Sequence, residues 1–341
     1  MFVSECWYVA AWCTEIDQAP FAVSVAGIPL VLYRTSAGDI VSFTDRCPHR
    51  LAPLSLGTRE GDDIRCMYHG LRFRRDGSCN HIPGQDNIPP TMRAQVRPTV
   101  ERHGWIWVWM GAATNADERL IPKVIGPDDP QWRMGCSTLD YDANFALINH
   151  NLLDFSHLTY VHANSFKADT QWAENRPQVK RIERGVRVTR WIDASPALAS
   201  ALDLSGAPVE TWQSYDFLVP GILVMRTYFC EVGTRVLFPE GHPRTGVLRV
   251  NATSQAVTPM TERTSRYFFA FGSRSSDTNQ EDATRILDLG TRAFGEDKAI
   301  IEAQQRVIDA SPGVHPQPTT ADVAITQFDS IMRKLSKQAA A

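Results

Sequence analysis

The pattern C-x-H-x16-C-x2-H, carried by Cys47-Pro48-His49-Arg50 and Cys66-Met67-Tyr68-His69-Gly70, constrains this chain more than any other feature. Two thiols and two imidazoles arriving on two short loops make a four-ligand metal site. Structural zinc and a Rieske [2Fe–2S] cluster both accept that ligand set. Zinc fingers usually pair C-x2-4-C with a later H-x3-5-H, so each short motif carries one ligand type. Here each motif carries one Cys and one His, which suits a cluster with one Cys-held and one His-held iron. Pro48 stiffens the first loop, and Gly70 follows the second where the backbone must pass tightly. The spacing and flanks together favour the Rieske site.

The rest of the chain narrows the setting. At 341 residues it is long enough for two domains with their own cores. A net charge of −3 without a basic run excludes nucleic acid as a natural partner. The longest mostly apolar run, Gly104 to Ala113, is too short to cross a bilayer. The start, Met1-Phe2-Val3-Ser4-Glu5-Cys6, lacks a basic segment followed by an apolar one, so a cytoplasmic protein with no membrane partner is expected. Beyond Cys47 and Cys66, the remaining cysteines Cys6, Cys13, Cys79, Cys136 and Cys230 show no paired spacing and read as free thiols in a reducing compartment.

Residues 1 to 115 read as short strands and turns, an all-β unit built around the two loops. Val23 to Val25, Leu30 to Tyr33, Ile40 to Phe43, Asp63 to Cys66, Leu71 to Phe73 and Trp105 to Met110 are the strand candidates. Cys79 to Pro90 reads as loop, and His81 and His103 as ordinary loop residues. A polar, Pro-, Gly- and Asp-containing stretch at 116–134 reads as a linker. Residues 135–341 form an α+β domain. Tyr141 to Thr159 predicts a helix. Val179 to Ile192, Tyr215 to Phe229, Gly246 to Ala256 and Ser265 to Gly272 predict an antiparallel sheet. Glu281 to Ile308 and Thr320 to Lys337 predict two further helices.

A second metal site is written into the first of these helices. Asn151, Asp154 and His157 recur every three residues and would share a helical face. His162 lies about 140° further round a regular helix, so both histidines reach one metal only if the helix breaks between them. Thr159 and Tyr160 are the expected place. Two histidines from one segment suggest a 2-His-1-carboxylate triad on a non-haem Fe(II) with open positions for O2. Glu296 and Asp297 are both candidate carboxylates.

With these residues in place, the chain resembles the oxygenase component of the Rieske non-haem iron oxygenases. It is most similar to the subgroup of vanillate O-demethylase, toluenesulfonate methyl-monooxygenase and dicamba monooxygenase. The matching stretches run nearly end to end: Trp7-Tyr8-Val9-Ala10, the two cluster motifs, Ile82-Pro83-Gly84-Gln85, Asn151 to His157 with Tyr160-Val161-His162, and Glu296-Asp297. The resemblance implies an N-terminal all-β Rieske domain and a helix-grip catalytic domain with an antiparallel sheet. It implies that Cys47 and Cys66 hold one cluster iron, His49 and His69 the other, and His157, His162 and Asp297 the mononuclear Fe(II). It also implies that Asp154 bridges a cluster histidine of one subunit to an iron-bound histidine of the next, in a head-to-tail homotrimer. Asn151 sits beside the iron.

The expected activity follows from the same resemblance. The chain would be a terminal oxygenase acting with O2 on a methyl or O-methyl group of a small anionic aromatic substrate. No G-x-G-x-x-G fingerprint follows any strand, so NAD(P)H and flavin belong to a separate flavin/iron-sulfur reductase. An anionic substrate calls for a cation in the pocket, and Arg226 is the candidate. Gln255 stands where dicamba monooxygenase has a substrate-contacting histidine, a departure that argues against dicamba. Ring dihydroxylation and N-demethylation are alternatives within the class. A Rieske electron carrier and a zinc-stabilised binding module are alternatives outside it; a carrier needs no second iron, and a zinc module contains no sulfide.

Overall fold

The computed structural model describes residues 2–195 and 207–338. Its contacts divide the chain into two compact units, Met1–Ile121 with Thr258–Glu262, and Pro122–Val257 with Arg263–Ala341.

The first unit consists of short antiparallel strands. These are β1 (Trp7–Trp12), β2 (Phe21–Val25), β3 (Ile28–Arg34), β4 (Ile40–Thr44), β5 (Thr58–Glu60), β6 (Asp63–Arg65), β7 (Arg72–Phe73), β8 (Cys79–His81), β9 (Thr99–Arg102) and β10 (Trp105–Trp109). They form sheets in the orders β1-β10-β9, β2-β3-β4 and β5-β6-β7-β8. The segment read as loop from Cys79 thus begins as a strand, because Cys79 and His81 pair with Phe73 and Arg72. His81 ends that strand, and His103 turns the chain between β9 and β10 at a φ of 59°. All of β1 and β10 is buried, and Trp7–Trp109 and Trp12–Trp105 approach ring to ring at 5.4 Å. Each such aromatic pair adds about 0.5–1.5 kcal/mol beyond its burial.

The second unit is one seven-stranded antiparallel sheet with helices, and all ten residues of its edge strand Trp132–Tyr141 pair with the next strand without a register shift. Its strands are β11 (Trp132–Tyr141), β12 (Gln178–Ile182), β13 (Gly185–Ser195), β14 (Val209–Leu218), β15 (Ile222–Cys230), β16 (Val247–Pro259) and β17 (Ser265–Arg274). They lie in the order β11-β17-β16-β15-β14-β13-β12. Two stretches read as single strands are hairpins. Val179 to Ile192 turns at Glu183-Arg184, where Arg184 has a φ of 55°. Tyr215 to Phe229 turns at Val219-Pro220-Gly221.

The largest difference lies at residues 141–162. Tyr141 ends β11 rather than starting a helix, and the helix runs Phe145–Leu153 behind an Asn144 cap. It stops at Asp154, whose φ of −128° and ψ of 105° are extended. A 3-10 turn, Phe155–His157, and a single helical turn, Leu158–Val161, follow. The break therefore falls at Asp154, not at Thr159 and Tyr160, and Asn151, Asp154 and His157 share no helical face. Asp154 ends the helix because its carboxylate caps the next turn, accepting from Ser156 N and Ser156 Oγ, each at 2.8 Å.

The long helix Gln280–Ala310 packs on β11 and β17. Its close approach depends on Gly135, where a Cβ would stand 2.9 Å from Leu287 Cβ. A side chain there would overpack the contact, at about 1–3 kcal/mol. The helix Val323–Gln338 covers β12 and β13 at the other end of the sheet, with Phe328 against Phe217. Between these two helices the Phe145–Val161 segment closes over the sheet, leaving a cavity beneath. No helix among the described residues is long and apolar enough to cross a membrane.

Candidate metal centres and the substrate cavity

In the first unit each ligand loop follows a strand and closes on its own backbone. Cys47 N donates to Ala52 O at 2.8 Å, and Leu51 N to Cys47 O at 2.9 Å. The second loop repeats the arrangement, with Cys66 N to Leu71 O at 2.8 Å and Gly70 N to Cys66 O at 3.1 Å. Gly70 has a φ of 74°, and a Cβ there would meet Pro83 Cγ at 3.0 Å, so the tight passage is real and glycine fits it. Cys47 and Cys66 belong to the core with Leu54, Ile64, Leu71 and Phe73, whereas His49 and His69 are exposed, their rings 4.6 Å apart.

The donor chemistry fits a cationic cluster. Burial pushes the Cys47 thiol up to about 11, and the neighbouring Cys66 adds to the rise against backbone N–H groups of His49 and Arg50. A thiolate in that position needs positive charge beside it, which metal supplies. At the rim, desolvation and then His49 and Arg50 lower the His69 pKa, keeping the imidazole neutral and able to bind metal.

In the second unit His157, His162 and Asp297 bring their ligand atoms within 4.8 Å of one another. Asp297 Oδ1 lies 3.4 Å from His157 Nε2 and 3.3 Å from His162 Nε2. Both rings are oriented from behind. His157 Nδ1 meets the Asp154 carbonyl at 2.6 Å, and His162 Nδ1 meets Glu296 Oε2 at 2.8 Å, which also accepts from Ser165 Oγ at 2.7 Å. With both Nδ1 atoms engaged, both Nε2 atoms are free to turn toward Asp297. Glu296 and Asp297, adjacent and equivalent in sequence, thus differ in position: one orients a ring, the other faces both. Asn151 Nδ2 donates to Asp297 Oδ1 at 3.0 Å. Asp297 is only 3% exposed, and its ion-pair partners among the described residues are the two histidines. Such a buried carboxylate suits a divalent cation. Burial lowers the His157 pKa; in His162 burial acts the same way but the Asp297 and Glu296 carboxylates outweigh it, and the pKa is raised.

Asp154 touches His157 through its main-chain carbonyl. Its carboxylate oxygens are held by Ser156, so within one chain the carboxylate does not reach the ring. The helix break explains this, since the extended backbone aims the carbonyl and the cap directs the side chain.

The three ligands form part of the wall of a cavity of about 110 Å³. Leu152, Phe155, Leu158, Phe166, Phe229, Phe271, Leu289 and Phe294 make most of the lining apolar. Polar side chains enter mainly from the sheet: Gln213 on β14, Thr227 on β15, and Asn251, Thr253 and Gln255 on β16. Asn151 and Gln255 are both in the wall. Arg226 is not. Met225 and Thr227 line the cavity, so strand alternation turns Arg226 to the other face, where it is exposed beside Trp132 and Arg274. The sequence reading missed Asn251, Gln213 and the orienting role of Glu296. The available signal was Arg249, Asn251, Thr253 and Gln255, polar at alternate positions of a strand where a core face should be apolar.

Residues 141–338 match the family model of the vanillate O-demethylase oxygenase C-terminal domain, and residues 6–93 match that of the Rieske [2Fe–2S] domain. The chain is 37% identical to the toluene-4-sulfonate monooxygenase system iron-sulfur subunit TsaM1 of Comamonas testosteroni, over 99% of this chain and 98% of that one. It is 30% identical to the vanillate O-demethylase oxygenase subunit of Pseudomonas sp. (strain HR199 / DSM 7063), over 92% and 88%. A crystal structure of dicamba monooxygenase bound to dicamba superposes with a TM-score of 0.88 at 28% identity, covering 99% of each chain.

Proposed function

The chain belongs to the Rieske non-haem iron oxygenases whose C-terminal domain is that of the vanillate O-demethylase oxygenase, and on that footing we propose that it hydroxylates a methyl or O-methyl group of a small anionic aromatic substrate. Its cofactors are a Rieske [2Fe–2S] cluster and a mononuclear Fe(II). Cys47, His49, Cys66 and His69 would hold the first, and His157, His162 and Asp297 the second. The observation that carries the reading is the placing of those last three side chains on the wall of a largely apolar cavity.

When bound, the iron would supply O2 activation and the cluster would supply a one-electron carrier served by a separate reductase. The chain's own residues do the rest. The phenylalanine- and leucine-lined cavity takes an aromatic ring and excludes water. Glu296 and the Asp154 carbonyl keep both imidazoles aimed at one point, and Asn151 holds Asp297 Oδ1 in place. Substrate, O2, two electrons and two protons yield hydroxylated product and water. A hydroxylated O-methyl group then collapses to a phenol and formaldehyde, whereas a hydroxylated methyl remains an alcohol.

Incubation with reductase and a panel of methyl-substituted, methoxy-substituted and unsubstituted benzoates and benzenesulfonates tests this. The expected result is substrate-dependent O2 uptake, with formaldehyde from methoxy compounds alone. Uptake confined to unmethylated rings, yielding cis-diols, would overturn it.

The assembly we propose is a head-to-tail homotrimer, in which the Asp154 carboxylate of one chain approaches a cluster histidine of the next. Exposed apolar side chains beside each metal site support it. Leu51, Met67 and Tyr68 are 65%, 63% and 58% exposed around the cluster loops. Ile300 and Val307, at 53% and 64%, flank a surface depression that Asp154 and His157 line. Such patches mark interaction surfaces. Light scattering should give the mass of three chains, and a monomer at micromolar concentration would rule the ring out.

A further inference from the structure

One polar group in the cavity has its orientation determined by its neighbours. Asn251 Oδ1 accepts from Arg249 Nε at 3.1 Å and from Ser273 Oγ at 2.6 Å. The Ser273 hydroxyl itself accepts from Arg249 Nε at 3.2 Å and Nη2 at 2.9 Å, so its one proton is committed to Asn251. Rotating the amide by 180° would set its NH2 against the Arg249 donor. All three residues are buried, at 8%, 7% and 0% exposed for Arg249, Asn251 and Ser273. With its carbonyl saturated on the Arg249 side, the amide presents Nδ2–H2 to the cavity that Asn251 lines. Gln213 and Gln255 lack this constraint. Their Oε1 atoms are buried without a partner, and either end of each amide can face a ligand.

The position suits a role in substrate recognition. The ligand triad enters the cavity from helical segments, whereas Asn251 enters from the sheet, so an aromatic ring between them would present one end to each wall. A donor backed by a guanidinium favours an oxyanion over a neutral acceptor. Strand alternation takes Arg226 out of the cavity, and Asn251, backed by Arg249, brings a guanidinium-supported donor to its wall instead.

Resting on the activity proposed above, we infer that Asn251, held as a hydrogen-bond donor by Arg249 and Ser273, receives the carboxylate or sulfonate of the substrate and sets the preference for anionic rings. Arg249 and Ser273 act through Asn251 as positioning residues.

The test is anaerobic calorimetry on the full-length, metal-loaded protein. The probes are 4-methylbenzenesulfonate, 4-methylbenzoate and the uncharged 4-methylbenzenesulfonamide. The wild type is expected to bind one or both anions more tightly than the sulfonamide, and the two anions distinguish sulfonate from carboxylate as the preferred group. Asn251→Ala should weaken the preferred anion about 10- to 100-fold, the size of a hydrogen bond to a charged group, and the sulfonamide far less. Ser273→Ala leaves Asn251 in place but releases one of the donors holding its carbonyl, and should lose the same selectivity to a smaller extent. Equal weakening of anion and sulfonamide, no weakening at all, or a wild-type preference for the sulfonamide would each overturn the inference. Turnover of the same compounds separates the two proposals. Asn251-dependent anion binding without oxidation would sink the activity alone, and oxidation insensitive to Asn251 would sink this assignment alone.

Discussion

Asp297→Ala is expected to abolish substrate-dependent O2 uptake and remove the mononuclear iron while the visible spectrum of the cluster is unchanged. Asp297 faces the Nε2 atoms of both His157 and His162, at 3.4 and 3.3 Å, and is almost fully buried. Its removal leaves two neutral nitrogen ligands and no charge to hold a divalent cation. Iron content should fall from roughly three to two atoms per chain, the number a Rieske cluster alone accounts for. The adjacent Glu296 gives the contrast. It holds His162 from behind at 2.8 Å, so Glu296→Gln should weaken Fe(II) binding about 10- to 100-fold without abolishing it. Metal analysis and Fe(II) titration of both variants check the pair. Iron retained in Asp297→Ala and lost in Glu296→Gln would reverse the assignment of the two acids.

The second large effect belongs to Cys66→Ala, which should lose the cluster and unfold much of the first unit. Cys47 and Cys66 are 1% and 2% exposed within a core that includes Leu54, Ile64 and Phe73. Bound metal in small structural sites contributes about 10 kcal/mol, comparable with the roughly 5–15 kcal/mol total stability of a domain. His69→Ala should also lose the cluster spectrum but disturb packing less, because His69 is exposed. Visible absorbance together with thermal unfolding distinguishes the two, and a Cys66→Ala protein as stable as the wild type would show that the cluster does not hold this core together.

Much of this was legible along the chain because the determining contacts are local. The cluster motif places its ligands on two loops that each close on themselves, from Cys47 to Ala52 and from Cys66 to Leu71, so spacing alone reports the site. The long helix carrying Asp297 and strands such as β3, β4 and β17 follow from apolar periodicity over one element. The hairpin turns at Arg184 and Gly221 and the helix end at Asp154 are not legible from apolar periodicity. At Asp154 a side-chain cap competes with helix propagation, and propensity does not weigh that competition.

What the sequence determined by itself was the chemistry: which residues can bind which metals, and hence the class of reaction. What only the tertiary structure decided was direction. Glu296 and Asp297 are neighbours in sequence, yet 100° of helical rotation sends one behind His162 and the other between both rings. Arg226 and Thr227 are neighbours too, and the two-residue period of a strand puts one in solvent and the other in the cavity. The orientation of Asn251 depends on Ser273, which lies on another strand and is brought to it by the folding of the sheet.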